Sequence, residues 1–472
     1  MNTIRRIAKN TLVLTASDIA NRVLSFIFVI QIARYLGDIG FGKYSFAFAF
    51  VNLFIIFADF GLNTILIREI AKHKLEAKKF LGNALIIKLF LCSITFLLIF
   101  ITINLMDYPT DTTIVVYLVG ITLILGSLSG IFGTVFRAFE KMEYVALIST
   151  IERLFVVSIG IIVLKMGFGV VSLAMVLLAG NIISFILSIV ISFKKFVIPE
   201  FEIDLVFWRY LLKESFPFII TGLSASIYFY IDSVMLSFMK GEAVVGLYNA
   251  AYNLVLSLMF IPSAFMGAVF PVLSQFSISS HSSIKLAYEK SFKWLFTLSL
   301  PIVVGTALIS ENIILFIYKI EFVGSALALK ILIFVFIFMC FNIVIANVMY
   351  SIGKQTVVMK AGIMGVIFNV TLNALLIPKL SLNGASIATV LTETLVFLIL
   401  FYYISVYFHK LMIIEIIYRP IIAVFMMSIF ILFFRHINIF LIIILSVIIY
   451  FATLYLIKGI TEEDIKLIKK SL

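Results

Sequence analysis

The chain has 472 residues, of which 63% are hydrophobic and 13% are charged, and its formal net charge is +12. So little polar surface excludes a water-soluble globular protein and indicates a polytopic membrane protein. The basic excess does not indicate nucleic-acid binding, because no basic stretch carries interleaved aromatic residues or a nucleic-acid motif.

Apolar segments of about 20 residues are long enough to cross a membrane as helices. Fourteen such segments follow one another along the chain, at 11–35, 44–68, 81–104, 112–136, 144–165, 171–193, 214–239, 246–275, 292–317, 326–351, 357–377, 384–406, 416–434 and 438–457. The sequence therefore predicts an all-α polytopic membrane protein with about fourteen transmembrane helices.

Lysines and arginines are divided unevenly between alternate loops. The N-terminus, the even-numbered loops and the tail hold 25 of them, whereas the opposite loops hold six. Positive charge accumulates on the cytoplasmic side of membrane proteins. Both termini are therefore predicted to lie in the cytoplasm, in a multi-pass protein of the cell membrane.

An internal repeat indicates how the spans are grouped. Residues 37–47 and 241–251 align with four identities, and a second, weaker match pairs 172–177 with 386–391. The paired segments lie 204 and 214 residues apart. The first six spans therefore correspond to the next six, which is typical of a parallel repeat. The predicted organisation is an N-terminal six-helix lobe at 1–193, a cytoplasmic linker at 194–213, a C-terminal six-helix lobe at 214–407, two extra helices within 408–457 and a cytoplasmic tail at 458–472.

The first span carries a row of polar residues on one helical face. Asp18, Arg22 and Ser25 follow each other at steps of four and three, so they share a face of a helix. Lipid cannot solvate these groups, which predicts that the face looks into protein or a water-filled cavity. Two interpretations remain open: Asp18 and Arg22 form a structural ion pair, or Arg22 binds an anionic headgroup.

Other spans carry polar residues that would wall a central cavity between two six-helix lobes. The remaining candidate cavity residues are Asn52, Tyr228, Asn249, Asn253, Asn369 and Asn373. Three acids are candidates for binding a coupling cation, Na⁺ or H⁺, with buried hydrogen-bonded acids as the alternative interpretation: Asp59, Asp232 and Glu393.

Several features are predicted to be structural. Lys88 lies near enough to a span end for its ammonium to reach the interface, and residues 126–130 form a GxxxG helix-packing signature. The sequence has no Ser/His/Asp set, no paired carboxylates, no nucleotide-binding loop and no metal-ligand spacing. The protein is therefore predicted not to be an enzyme and to need no cofactor beyond a coupling cation.

Short motifs at fixed places give the chain a family resemblance. They are Phe60-Gly61-Leu62 with Arg68-Glu69, Phe270-Pro271-Val272-Leu273-Ser274, Leu376-Ile377-Pro378, and Asn383-Gly384-Ala385-Ser386-Ile387-Ala388-Thr389. With them, the whole chain resembles the multidrug/oligosaccharidyl-lipid/polysaccharide exporter superfamily, and within it the polysaccharide-transporter or oligosaccharide-flippase branch. Fourteen spans fit that branch, whereas the drug/cation antiporter branch usually has twelve.

The resemblance implies two six-helix lobes around a central cavity, two additional C-terminal helices, and movement of a polyprenyl-phosphate- or pyrophosphate-linked glycan to the outer leaflet. Glycosyltransferases or a polymerase of the same pathway are expected partners, and the chain is expected to act as a monomer. One alternative is a multidrug or cation antiporter of the same superfamily. Another is a non-transporting membrane scaffold of a glycan-assembly complex.

Overall fold

The computed structural model describes residues 3–279, 281–434 and 436–459, and within these ranges it contains helices but no strands. Its helices are α1 (Thr3–Asp59), α2 (Leu62–Lys72), α3 (Ala77–Leu105), α4 (Thr110–Ala138), α5 (Met142–Lys165), α6 (Val170–Lys195), α7 (Leu205–Lys240), α8 (Glu242–Ser257), α9 (Phe260–Ser279), α10 (His281–Leu308), α11 (Ser310–Tyr318), α12 (Ser325–Leu332), α13 (Val335–Ser351), α14 (Gln355–Leu380), α15 (Leu382–Tyr407), α16 (Ile413–Phe434) and α17 (Ile439–Leu456). Short 3₁₀ helices lie at Lys74–Glu76 and Ile320–Phe322.

Thirteen helical stretches of the described residues are long and apolar enough to span a membrane. The first, Leu14–Lys72, is 59 residues long and includes all of the predicted span 44–68 and nearly all of the predicted span 11–35. Helices α8 and α9 together form one stretch, as do α12 and α13. The prediction of an all-α polytopic membrane protein is therefore confirmed.

Two glycines interrupt the helices at equivalent positions of the predicted repeat. Gly37 breaks α1 with φ 67° and ψ −174°, and Gly241 separates α7 from α8 with φ 86° and ψ 175°. A residue with a Cβ rarely adopts a positive φ, so glycine is favoured at both breaks. The matching backbone geometry, 204 residues apart, supports the internal repeat.

The chain divides into two compact units, Met1–Gly246 and Leu247–Leu472. The sequence analysis placed the boundary at 194–213, whereas the structure groups α7 with the first unit because α7 packs against α1 and α2. In the second unit, α16 packs against α17 and α10. The six-helix lobes remain a prediction, and most of the tail at 458–472 lies outside the described residues.

The linker segment 196–204, here called the strap, is fastened to the start of α3. The Asn83 Oδ1 atom accepts hydrogen bonds from the Asp204 amide at 3.0 Å and from the Trp208 indole at 2.8 Å. A Cβ at Gly82 would lie 1.8 Å from the Glu200 carbonyl oxygen, so glycine permits this close approach. The strap thereby fixes the beginning of α7 against α3.

The carboxylate of Asp204 strengthens the same attachment. It accepts a hydrogen bond from the Phe207 amide at 3.0 Å, and the Lys79 ammonium lies 2.9 Å from its other oxygen. The Phe207 amide and then the Lys79 ammonium hold the pKa of Asp204 below its ordinary value. This pattern is that of a helix N-cap supported by a charged partner.

We expect Asn83→Ala to destabilise the protein, because it removes the acceptor shared by Asp204 and Trp208 and leaves both donors unpaired. The loss should be about 1–3 kcal/mol in the free energy of unfolding, seen as a lower unfolding midpoint of the purified protein. Ser93→Ala, at an exposed position of the same helix where the hydroxyl donates to the Leu89 carbonyl oxygen one turn earlier, is the control and should have little effect. Equal shifts in the two variants would argue against the strap contact.

Candidate functional site

The predicted polar row of α1 has two exposed charges. Asp18 and Arg22 are both exposed, and no salt bridge joins them among the ion pairs of the described residues. Ser25 instead donates its hydroxyl to the Asn21 carbonyl oxygen of its own helix, at 2.6 Å. The structural ion pair between Asp18 and Arg22 is therefore absent. Both charged groups remain available to a ligand.

A second polar face of α1, which the sequence analysis missed, packs against α5. The Ser17 hydroxyl lies 3.0 Å from the Thr150 hydroxyl, and the Asn21 amide donates to the Ser149 hydroxyl at 3.3 Å. Asp18 and Arg22 each follow Ser17 or Asn21 by one residue, about 100° around the helix, so the charged row lies beside the face that contacts α5. The spacing of four between Ser17 and Asn21 is the signal that could have revealed this face.

Asp59, a predicted cation ligand, is paired with a lysine. The Lys88 ammonium lies 2.8 Å from Asp59 Oδ1 and 3.1 Å from Asn63 Oδ1, and the Lys88 side chain is 0% exposed. The prediction that Lys88 reaches the membrane interface is therefore wrong. Asn52, on the same helix as Asp59, donates its amide to the Phe48 carbonyl oxygen at 2.8 Å.

Two predicted site residues lie on α7 of the first unit. Tyr228 is half-buried, and its ring packs edge to face against that of Phe229, with ring centroids 5.7 Å apart. Asp232 is buried, at 2% exposure. Their assignment to substrate and cation binding stays a prediction.

The predicted site residues of the second unit are largely buried. Asn249, Asn369 and Asn373 have little exposed surface, and Asn373 donates to Asn369 Oδ1 at 3.0 Å. Asn253 is half-buried. Because only Asn253 of these four is not buried, this conformation gives little support to a cavity-lining role for the set.

Glu393 on α15 is a buried acid with an amide partner. Its side chain is 4% exposed, and Oε2 accepts a hydrogen bond from the Asn342 amide of α13 at 2.7 Å. This contact joins two packed helices. The structure thus matches the alternative of a buried hydrogen-bonded acid, and cation binding by Glu393 stays a prediction.

Two glycines allow a close backbone contact between α1 and the start of α8, both within the first unit. A Cβ at Gly42 would lie 1.8 Å from the Glu242 carbonyl oxygen, and one at Gly246 would lie 2.0 Å from the Asp38 carbonyl oxygen. Gly42 and Gly246 are equivalent in the repeat, as are Asp38 and Glu242. The contact, here called the glycine contact, is therefore reciprocal.

Charged and polar side chains surround the glycine contact. Lys43 forms an ion pair with Asp111, and its ammonium lies 3.7 Å from Glu242 Oε2. The Thr112 hydroxyl donates to Glu242. These contacts tie α1 and α4 to the start of α8, at the end of the first unit that carries the loops near residues 37, 109 and 241.

A polar cavity of about 230 Å³ lies inside the first unit, beside α4, α5 and α6. The α4 residues Gly126 and Gly130 line it, and a Cβ on either would come within 3.1 Å of an asparagine side chain rather than a neighbouring backbone. Asn181 belongs to α6 and Asn63 to α2, and both helices pack against α4, so the two glycines lie at helix contacts as the GxxxG signature predicts. The hydroxyl-bearing and charged residues around the cavity are Ser129, Thr134, Arg137, Ser149, Glu152, Ser184 and Ser188.

An apolar groove of about 350 Å³ lies in the second unit between α10, α16 and α17. Gly305 of α10, Met427 of α16 and Ile442 of α17 are among its lining residues. Tyr450 also lines the groove, and its hydroxyl donates to the Thr297 carbonyl oxygen at 2.8 Å. The groove is nearly free of polar groups, so it suits a hydrocarbon chain better than a sugar.

Metal-binding groups are absent from the part of the chain that the structure describes, where no three His, Cys, Asp or Glu residues could hold an ion together. The two cysteines, Cys92 and Cys340, are both buried and unbridged.

Comparison with known families places the chain among membrane transport proteins. The family described as polysaccharide biosynthesis protein matches residues 7–277, and the MatE family matches residues 217–375. A probable low-salt glycan biosynthesis flippase of Haloferax volcanii is 23% identical over 390 residues, covering 82% of this chain and 81% of that protein. A putative O-antigen transporter of Shigella flexneri is 26% identical over 378 residues, covering 76% of this chain and 88% of that protein.

Solved structures share the fold. An inward closed conformation of the lipid II flippase MurJ superposes with a TM-score of 0.77 at 18% identity, covering 96% of this chain and 99% of that chain. An inward-facing multidrug resistance transporter of the MOP superfamily gives a TM-score of 0.66 at 16% identity, covering 82% of this chain and 95% of that chain. The fold expected from the sequence motifs is confirmed.

Proposed function

Since the chain belongs to the polysaccharide biosynthesis protein family, which matches more than half of its length, we propose that it is a flippase for a lipid-linked oligosaccharide. It moves a polyprenyl-phosphate- or pyrophosphate-linked glycan from the cytoplasmic to the outer leaflet by alternating access. The product serves the assembly of a surface polysaccharide or glycoprotein. The names of the relatives, a glycan biosynthesis flippase and an O-antigen transporter, support this substrate class.

The observation that carries the proposal is the exposed charge of Asp18 and Arg22 within an apolar span. Moving sugars and phosphate through hydrocarbon would leave polar groups unpaired at a cost of several kcal/mol each. A charged residue on a membrane helix is stable where water or a polar ligand meets it. Arg22, with no ion-pair partner among the described residues, binds the phosphate through its forked guanidinium donors.

The apolar groove of the second unit accommodates the lipid part of the substrate. Its volume of about 350 Å³ and its lining by α10, α16 and α17 suit several isoprene units, while the rest of the chain stays in the bilayer. This assignment gives a role to the two helices that follow the predicted repeat.

The glycine contact forms the closed end of the transport path. The excess of basic residues in the loops on the other side supports an orientation with this end outside the cytoplasm and both termini inside. Separation of α1 from α8 at Gly42 and Gly246, with release of Lys43 from Asp111 and Glu242, opens the path to the outer leaflet. Alternating access requires such a reversible contact.

A multidrug or cation antiporter is the second candidate function, favoured by the match of residues 217–375 to the MatE family. An antiporter for organic cations needs an acidic site and has no use for an exposed arginine. The effect of Arg22 substitution therefore distinguishes the two functions.

The protein acts as a transporter without enzymatic activity, as a monomer in the cell membrane, beside the glycosyltransferases or polymerase of its pathway. A cation gradient or the membrane potential drives it, with Asp232 or Glu393 as the candidate cation ligand. It requires no other cofactor.

Deletion of the gene in its host tests the proposed function. Lipid-linked oligosaccharide should accumulate with its sugars on the cytoplasmic face, and surface glycan should disappear and return on re-expression. Normal surface glycan in the deletion strain, with no related transporter induced, would contradict the proposal.

A further inference from the structure

Lys88 occupies an unusual position for a lysine in a membrane helix. Its side chain is 0% exposed, and its ammonium is held between two oxygens, Asp59 Oδ1 at 2.8 Å and Asn63 Oδ1 at 3.1 Å. The oxygens come from different helices, on either side of the break between α1 and α2. Lys88 itself belongs to a third helix, α3.

On one side, the surroundings of this ammonium are apolar. Ala58, Cys92 and Leu128 form a buried cluster beside the pair. A buried charge in such surroundings is tolerated only when a charge of opposite sign compensates it. Asp59 and Lys88 compensate each other, so the removal of either leaves one uncompensated charge.

The two oxygens also resemble the ligands of a free cation. A carboxylate and an amide oxygen are hard ligands of the kind that hold oxygen-coordinated cations in proteins. Asn63 lines the polar cavity of the first unit, and the Asp59 side chain is 32% exposed. Water and a small ion can therefore approach these oxygens from the polar cavity or from the exposed side of Asp59.

We propose that the Lys88 ammonium is a tethered cation that fills an alkali-cation site formed by Asp59 and Asn63. In the wild-type protein, the Lys88 ammonium compensates the charge of the Asp59 carboxylate. Asp59 therefore binds no free Na⁺ or K⁺. Without the ammonium, the same oxygens accept a free alkali cation. The proposal is independent of the transported substrate.

Thermal unfolding of the purified protein tests the proposal, in NaCl, KCl or choline chloride at equal ionic strength and at about pH 8, well above the ordinary pKa of an aspartate. The wild-type midpoint in NaCl, KCl and choline is the baseline, which includes any effect of a coupling cation at Asp232 or Glu393. The Lys88→Ala midpoint should be lower than that of the wild type in choline and should rise in NaCl or KCl by about 2 °C or more beyond any rise of the wild type, because a cation that binds only the folded state stabilises it.

Two controls make the result specific. The double variant Lys88→Ala/Asp59→Asn lacks both charges and should show no cation dependence beyond that of the wild type. Lys330→Ala removes an exposed membrane lysine and should behave like the wild type.

Three results would overturn the proposal. The first is a wild-type stabilisation by Na⁺ or K⁺ that Asp59→Asn abolishes, since it would show a free ion binding beside Lys88. The second is an alkali-cation effect on the Lys88→Ala midpoint that is no larger than the effect on the wild type. If Lys88→Ala yields no folded protein, Lys88→Ser serves in its place. The third is then the absence, in Lys88→Ser, of a cation effect beyond that of the wild type.

Discussion

Gly42→Ala is expected to reduce glycan transport at least about tenfold while leaving the protein in the membrane. The added Cβ would lie 1.8 Å from the Glu242 carbonyl oxygen, and backbone atoms cannot move aside as the end of a flexible side chain can. Overpacking of this kind costs about 1–3 kcal/mol, and about 1.4 kcal/mol changes an equilibrium tenfold. Transport slows because each cycle must return through the closed state that the glycine contact forms.

The repeat provides a second variant with the same expected outcome. A Cβ at Gly246 would lie 2.0 Å from the Asp38 carbonyl oxygen, so Gly246→Ala should impair transport to a similar degree. Gly362→Ala is the matched control, because nothing lies within 4 Å of the Cβ it would add. Transport is measured as surface glycan restored to a deletion strain at equal protein level. Full activity of both Gly42→Ala and Gly246→Ala would show that the contact is not part of the cycle.

Arg22→Ala is expected to lower glycan transport by about 10- to 100-fold. Hydrogen bonds to charged groups contribute about 1.5–3 kcal/mol, and the exposed guanidinium is the group that we assign to the substrate phosphate. Arg22→Lys should restore part of the activity, because it keeps the charge but loses the forked geometry. The same deletion strain provides the measurement.

Arg209→Ala is the control for this prediction, since Arg209 is an exposed arginine beside the strap and outside the proposed path. It should leave transport unchanged. Unchanged glycan transport in Arg22→Ala would remove the phosphate assignment. Improved export of an organic cation by the same variant would favour the antiporter.

Hydrophobic length was sufficient to predict the membrane-spanning helices. A span must be about 20 apolar residues long whatever it packs against, so the fourteen segments could be read without knowing a single contact. The breaks at Gly37 and Gly241 were visible as glycines between apolar segments. The family could be recognised because its motifs place glycine or proline at particular positions, as at Gly61 between α1 and α2 and at Pro378 near the end of α14.

Contacts between distant helices could not be predicted in the same way. Lys88 was judged by its distance from a span end, but its partner Asp59 lies 29 residues away on another helix. The glycine contact joins positions 204 residues apart, and a helical pattern does not say which faces meet. Because the helices are so apolar, each has several faces that could pack against a neighbour. The burial of Asn369 and Asn373 therefore could not be predicted either.

The polar face of α1 is a further example of a feature whose contacts the sequence did not predict. Asp18 and Arg22 were recognised as a polar row from their spacing, and a pair four residues apart can form an ion pair. The contact of Ser17 and Asn21 with α5 instead fixes the rotation of the helix. Sequence spacing shows which residues share a face, but only packing shows where the face points.

Reconstitution into liposomes tests the central claim most directly. Purified protein is placed in vesicles with a polyprenyl-pyrophosphate-linked oligosaccharide, and a membrane-impermeant glycosidase reports how much of the sugar reaches the outer face. Vesicles with the wild-type protein should expose nearly all of the glycan, whereas protein-free vesicles and Arg22→Ala vesicles should expose only the fraction initially outside. Equal protection of the glycan in wild-type and protein-free vesicles, under the same driving force, would contradict the flippase assignment.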